Sequence, residues 1–320
     1  MKILLKQKTK AITIVILLGF LLLLAIKIVK KPVVEQDFVN ECKKFYKNDQ
    51  VSCFKNKVLS KLDQSPSSAG DLLYAIWRAP QTNNLIVDLR AFSPLAHEVG
   101  MELANKNIAL EGAINYCGHS FKDACIHGVI MEYIDKNYFG NTPASDFIGL
   151  CNSLSLNERQ YKNCAHAIGH ELRAKVLGSD TAIVVLCDYF KNQYRFACAS
   201  GVFMEASTGN SGTGYHSHAA VGKTSFDCLK ILLDYRHICY SSAGSYRQYE
   251  ASREPWQETF KFCSHAPKIY QADCFAGADE RLLMAKSGRQ AEAEKVCINL
   301  GQEEKTGCML VANMSLDSLQ

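Results

Sequence analysis

The chain has no cysteine before Cys42, no two cysteines separated by only two residues, no HExxH and little net charge. Each absence excludes something. A formal charge of +4 spread along 320 residues leaves no electrostatic footprint for DNA or RNA, so no nucleic acid is expected as a partner. Without C-x2-C pairs there is no framework for a structural zinc site built of thiolates. The order HxxxHE at His166, His170 and Glu171 is not that of the zinc metalloproteases. The Gly-rich stretch from Ser207 to Thr224 ends in Gly222-Lys223-Thr224, but Ser217 stands where a phosphate-binding loop needs glycine. No Ser/His/Asp constellation can be argued, and the pairing of every cysteine leaves no thiol nucleophile.

What is present begins with ordinary globular composition, 48% hydrophobic and 21% charged. The first thirty residues differ. Residues 1–10 are basic, and Ala11 to Val29 form a 19-residue apolar run with one lysine, long enough to span a bilayer core. Lys27, Lys30, Lys31 and Pro32 stand where a cleaved signal peptide would carry small residues, so the segment reads as an uncleaved signal anchor. Lysines flank it on both sides and do not orient it. Cysteine does, because all 14 lie after the anchor, in even number, as suits an oxidising compartment. The expected organisation is a basic cytoplasmic N-terminus (1–10), a single-pass transmembrane signal anchor (11–29), a juxtamembrane segment with an atypical capping unit (30–94) and an extracytoplasmic repeat domain (95–320) with a Gly-rich insertion at 207–224.

The cysteines fall into seven sequential pairs: Cys42–Cys53, Cys117–Cys125, Cys151–Cys164, Cys187–Cys198, Cys228–Cys239, Cys263–Cys274 and Cys297–Cys308. From Cys117 the first member recurs after 34, 36, 41, 35 and 34 residues, a period typical of helical solenoids. Each first cysteine closes an amphipathic segment and each second one opens another, with apolar positions three and four apart. The repeat therefore predicts a helix, a loop, a second helix and a disulfide leading to the next unit. The expected fold is all-α: a right-handed α-solenoid of disulfide-stapled helix-pair repeats behind a single N-terminal transmembrane helix.

Aligned on the second cysteine, with Leu95 in that place in the earliest copy, four helices share a template. Two positions on stand His97, His127, His166 and Ser200; six on stand Met101, Met131, His170 and Met204; seven on stand Glu102, Glu132, Glu171 and Glu205. At 100° per residue the second and sixth positions share a face, and the seventh lies about 140° from the second. A His/Met row and a separate glutamate row follow. Such rows can be packing surface between repeats. As a site, His with Met at i+4 suits Cu(I) or, less well, a haem iron, and His166 with His170 suits zinc or copper, with Glu102, Glu132, Glu171 or Glu205 as supporting carboxylates. Of the remaining histidines, His119, His237 and His265 read as exposed polar residues, and His216 and His218, on the Gly-rich insertion, as part of a solvated loop, with a share in a metal site or the cover of a groove as the alternative.

From Tyr116 onward, the Cys117/Cys125 spacing and the glycines Gly128, Gly201 and Gly277, each three after a second cysteine, resemble the secreted cysteine-rich Sel1-like repeat proteins, relatives of the tetratricopeptide repeats. The resemblance implies an extracytoplasmic binding or adaptor protein, some members being linked to cell-wall peptide or β-lactam recognition. The expected function is thus a membrane-anchored scaffold whose solenoid groove binds a protein, a peptide or a cell-wall component, more a binding protein than an enzyme. The alternative is a metal-binding protein or metal-dependent enzyme centred on the His/Met/Glu rows.

Overall fold

The computed structural model describes residues 39–42, 44–45, 47–83, 92–118, 122–138, 143–176, 178–191, 193–208, 227–250 and 255–285. The apolar run 11–29, most of the Gly-rich insertion and the Cys297–Cys308 pair lie outside them. Among the described residues every regular element is helical, and no helix is long and apolar enough to cross a membrane. The α-helices are α1 (Lys47–Gln64), α2 (Ala69–Asn83), α3 (Phe92–Asn105), α4 (Leu110–Tyr116), α5 (Lys122–Asn137), α6 (Ala144–Ile148), α7 (Glu158–Lys175), α8 (Asp180–Val185), α9 (Gln193–Thr208), α10 (Leu233–Glu250), α11 (Pro255–His265) and α12 (Gln271–Ala285).

The helices opened by the second cysteine are the long ones, and local signals fix their ends. In α7, Asn157 caps the start: its side chain accepts from the Gln160 amide while Gln160 reaches back to the Asn157 amide. Glu158 in the first turn and Arg173 and Lys175 in the last complement the helix dipole. The segments that lead into the first cysteine are shorter than the repeat suggested, 5 to 7 residues in α4, α6 and α8. Three first cysteines, Cys151, Cys187 and Cys228, sit in 3-10 turns, where the chain tightens before the bridge. Six disulfides join these turns or helix ends to the next long helix, Cys42–Cys53 through Cys263–Cys274, with Cα atoms 5.4 to 5.8 Å apart. Each staples a helix pair. Closing so short a loop contributes about 3 kcal/mol on the chain-entropy argument.

The long helices α1, α3, α5, α7, α9, α10 and α12 stand side by side and parallel. Starts meet starts and ends meet ends: Lys55 with Glu98 and Asp63 with Lys106 between α1 and α3, Asp123 with Asn163 and Asp135 with Lys175 between α5 and α7, Glu158 with Gln193 between α7 and α9. Arg195 reaches Asp234 between α9 and α10, and His237 reaches Asp273 between α10 and α12. Buried cysteines, Phe54, Phe147, Phe190, Phe203 and Tyr235 fill the space between this row and its short connecting helices.

Two kinds of interface alternate along the row. At α3/α5, α7/α9 and α10/α12 the backbones cross on paired glycines. A Cβ on Gly100 would lie 2.0 Å from the Cys125 carbonyl oxygen, and one on Gly128 2.0 Å from that of His97. Gly169 and Gly201 meet Cys198 and His166 in the same way, and Gly244 and Gly277 meet Cys274 and Ser241. Only glycine permits so close an approach. The glycine stands five residues after the cysteine position in the first helix of each pair and three after it in the second. Those positions lie about 200° apart on a helix, so one faces the next neighbour and the other the preceding one. In the intervening helix pairs the same sequence positions carry side chains, Ile130 and Ala167 in α5 and α7, Phe203 and Ser242 in α9 and α10, all of them buried. The repeating unit of packing is therefore two cysteine units long.

Candidate metal centre

Parallel, in-register helices bring equivalent positions into one row, and the histidine positions converge. His97 on α3, His127 on α5, and His166 and His170 on α7 lie with successive ring centroids 5.4, 4.5 and 4.9 Å apart. His127 stacks on His166 at an interplanar angle of 17°. One ligand nitrogen from each of His127, His166 and His170 lies within 4.8 Å of the other two. His97, His127 and His170 are buried, and His166 is half-buried.

The hydrogen bonds fix which nitrogen each ring offers. His166 Nδ1 lies 3.1 Å from the Ala197 carbonyl oxygen, which can only accept, so Nδ1 carries the proton and Nε2 the lone pair. His170 Nδ1 lies 3.1 Å from Glu205 Oε2, and an ionised Glu205 imposes the same tautomer. The two Nε2 atoms face each other at 3.1 Å, within hydrogen-bond distance, both turned to the same point. A cation bound there would take the lone pairs of both rings in place of the proton they share. Ligands about 2.0–2.1 Å from a tetrahedral zinc are about 3.3–3.4 Å from each other, close to the separation observed. The third ring contributes a buried atom as well, because His127 Nε2 has no hydrogen-bond partner. Ala197 and Glu205 stand as the outer-shell groups that orient ligating imidazoles.

Burial first, then the neighbouring His166, His97 and His170, holds His127 well below the usual imidazole range. His166 is lowered by burial and then His170, opposed by the Ala197 carbonyl. Both rings are thus neutral at physiological pH, the form that ligates. The donor set of three imidazoles fits zinc or copper. As a bis-histidine haem site the pair His166 and His170 does not serve, since two histidines one turn apart on one helix cannot stand on opposite faces of a porphyrin.

The glutamate positions separate into two groups. Glu102, Glu132 and Glu171 each face a lysine four residues on, Lys106, Lys136 and Lys175, at 2.8, 4.0 and 3.8 Å. Those lysines reach back to the preceding helix, at Asp63, the Ala104 carbonyl and Asp135. This is the separate glutamate row. Glu205 departs from it and joins the histidines, and the signal was in the sequence: its i+4 position is Gly209 and not lysine. The Ala197 carbonyl, a backbone group, had no signal. Of the methionines, Met131 is buried and Met101 half-buried, each one turn after its histidine. His237 pairs with Asp273 at 2.5 Å and His265 with the Lys261 carbonyl at 2.6 Å, both exposed and away from the row. His119, His216 and His218 lie outside the described residues.

No protein-family model, no curated protein and no solved structure matches this chain.

Proposed function

We propose that this chain is an extracytoplasmic helical-repeat protein, held to the membrane by residues 11–29, whose His127, His166 and His170 bind one zinc or copper ion. The observation that carries the reading is the pair of Nε2 atoms facing at 3.1 Å, with both Nδ1 atoms engaged elsewhere. The compartment follows from the disulfides, which suit an oxidising environment. When bound, the ion supplies a Lewis-acidic charge. The residues of the chain hold it and fix the tautomers. Metal analysis of the full chain, purified with disulfides intact and exposed to Zn(II) or Cu(II), should give one ion per chain, and His166→Gln/His170→Gln should lose it while remaining folded. A parent that takes up no metal, together with a double variant destabilised by about 1–3 kcal/mol, would mark the four rings as a packing network instead.

A second reading is the scaffold: a right-handed solenoid of Sel1-like kind that binds a protein, peptide or cell-wall component. It is supported by large apolar side chains left exposed on consecutive connecting segments, Val185, Tyr189, Leu229, Leu232 and Ile269, and by Leu233 at the start of α10. Replacing Leu233 and Ile269 by Ser should abolish retention of such a partner with no change in metal content. Unchanged retention would count against this surface.

A further inference from the structure

We propose that the fourth coordination position of this centre takes a carboxylate from outside the chain, held between the ion and Lys162. The inference rests on the metal reading above and adds to it the chemical class of ligand. Three imidazoles leave a tetrahedral ion one donor short, and centres with three protein ligands keep the fourth place for an exchangeable group. Its position follows from burial. His127 and His170 are only 8% and 4% exposed, whereas His166 is half-buried, so solvent reaches the set beside His166.

Charge selects the class. A divalent ion on three neutral imidazoles carries two positive charges, and the carboxylate hydrogen-bonded to that set, Glu205, supplies one negative charge through His170. Asp123, in the first turn of α5, is engaged by Asn163 at 2.5 Å and Arg159 at 3.4 Å. Lys162, exposed and one turn before His166 on the same face of α7, adds positive potential that is felt at the His166 ring. A positive charge taken partly out of water is stabilised by an anionic donor far more than by a neutral one. One monoanion neutralises the set of ion, imidazoles and Glu205, and leaves exposed Lys162 as that anion's partner. A carboxylate meets both requirements, placing one oxygen on the ion and the other toward the Lys162 ammonium.

Cobalt(II) provides the test, since its visible bands report the fourth ligand. The full chain in detergent, with disulfides intact and one equivalent of Co(II), is titrated with sodium acetate and, separately, with acetamide at constant ionic strength. Acetate should shift the bands saturably and acetamide should leave them unmoved. Lys162→Met should keep one Co(II) per chain and weaken acetate about two- to fivefold, the range of an exposed ion pair. Bands indifferent to acetate, an equal response to acetamide, or undiminished acetate affinity in Lys162→Met would overturn the proposal while leaving the metal reading intact. A chain that takes up no Co(II), Zn(II) or Cu(II) would overturn both, and that is seen before any acetate is added.

Discussion

Gly201→Ala tests the packing on which the centre depends. The new methyl carbon would lie 2.0 Å from the His166 carbonyl oxygen and 3.0 Å from the His170 nitrogen, both backbone atoms that cannot rotate away. A tolerable C···O contact is about 3.3 Å, so α7 and α9 must separate by more than an ångström. Overpacking of this kind costs about 1–3 kcal/mol, and a backbone obstacle places this site at the upper end. Alanine returns about 1 kcal/mol through its higher helix propensity. The net expectation is a loss of about 2 kcal/mol, and the separation should also pull Glu205 from His170 and the Ala197 carbonyl from His166. Urea unfolding of the oxidised protein, followed by circular dichroism, measures the loss. Gly178→Ala is the control, because its added carbon meets only side-chain atoms at 3.7 Å. If Gly201→Ala proves as stable as Gly178→Ala, the backbones of α7 and α9 do not cross in contact at this glycine.

Glu171 is fully buried, and burial, with Asp135 next, raises its carboxyl well above the usual range against the opposing charge of Lys175. Because the folded state favours the proton, this group's contribution to stability is complete below its usual value of 4.5 and declines as the pH rises above it. Glu171→Gln should therefore raise the thermal midpoint at pH 7–8 and match the parent near pH 4, and parallel pH curves would contradict the assignment. Glu205→Gln, which keeps an acceptor for His170 but removes the charge, should weaken metal binding about 10- to 100-fold with folding retained. Unchanged affinity in a competition titration would remove Glu205 from the centre. Peptide mapping without reduction should recover Cys187 with Cys198 and Cys263 with Cys274, and a bridge between distant units would refute the repeat register.

The long helices and their bridges were legible because a cysteine pair marks each unit and the apolar positions keep helical spacing. Gathering of His127, His166 and His170 was legible for the same reason: a fixed offset from the cysteine becomes a shared face once the helices stand parallel. Alternation of the interfaces was harder to see. Alignment on the cysteines brings out Gly128, Gly201 and Gly277 but scatters Gly100, Gly169 and Gly244 to another position, and only the three-dimensional row makes the two sets partners. The brevity of α4, α6 and α8 escaped notice because an apolar segment of seven residues has the same periodicity whether it continues as helix or tightens into a 3-10 turn. Glu205 was seen as a carboxylate and assigned to the wrong row, since its angle on its own helix says nothing about the reach of a neighbour's side chain.

The bridges also govern how the molecule answers tension. A chain pulled from its two ends bears load through the sulfur atoms wherever a disulfide closes a loop, so residues between paired cysteines add no length when a unit gives way. What can be paid out lies between one bridge and the next, for example the 26 peptide links from Cys125 to Cys151, about 90 Å at full extension. Between Cys125 and Cys263 rupture of successive units would thus proceed in short, similar increments, with one longer step from the 64 links between Cys53 and Cys117, and thiol reduction would lengthen each increment by its sequestered loop. For a chain held at one end by residues 11–29, as proposed above, the covalent pattern sets a ceiling on reach that does not depend on how strongly the helices pack.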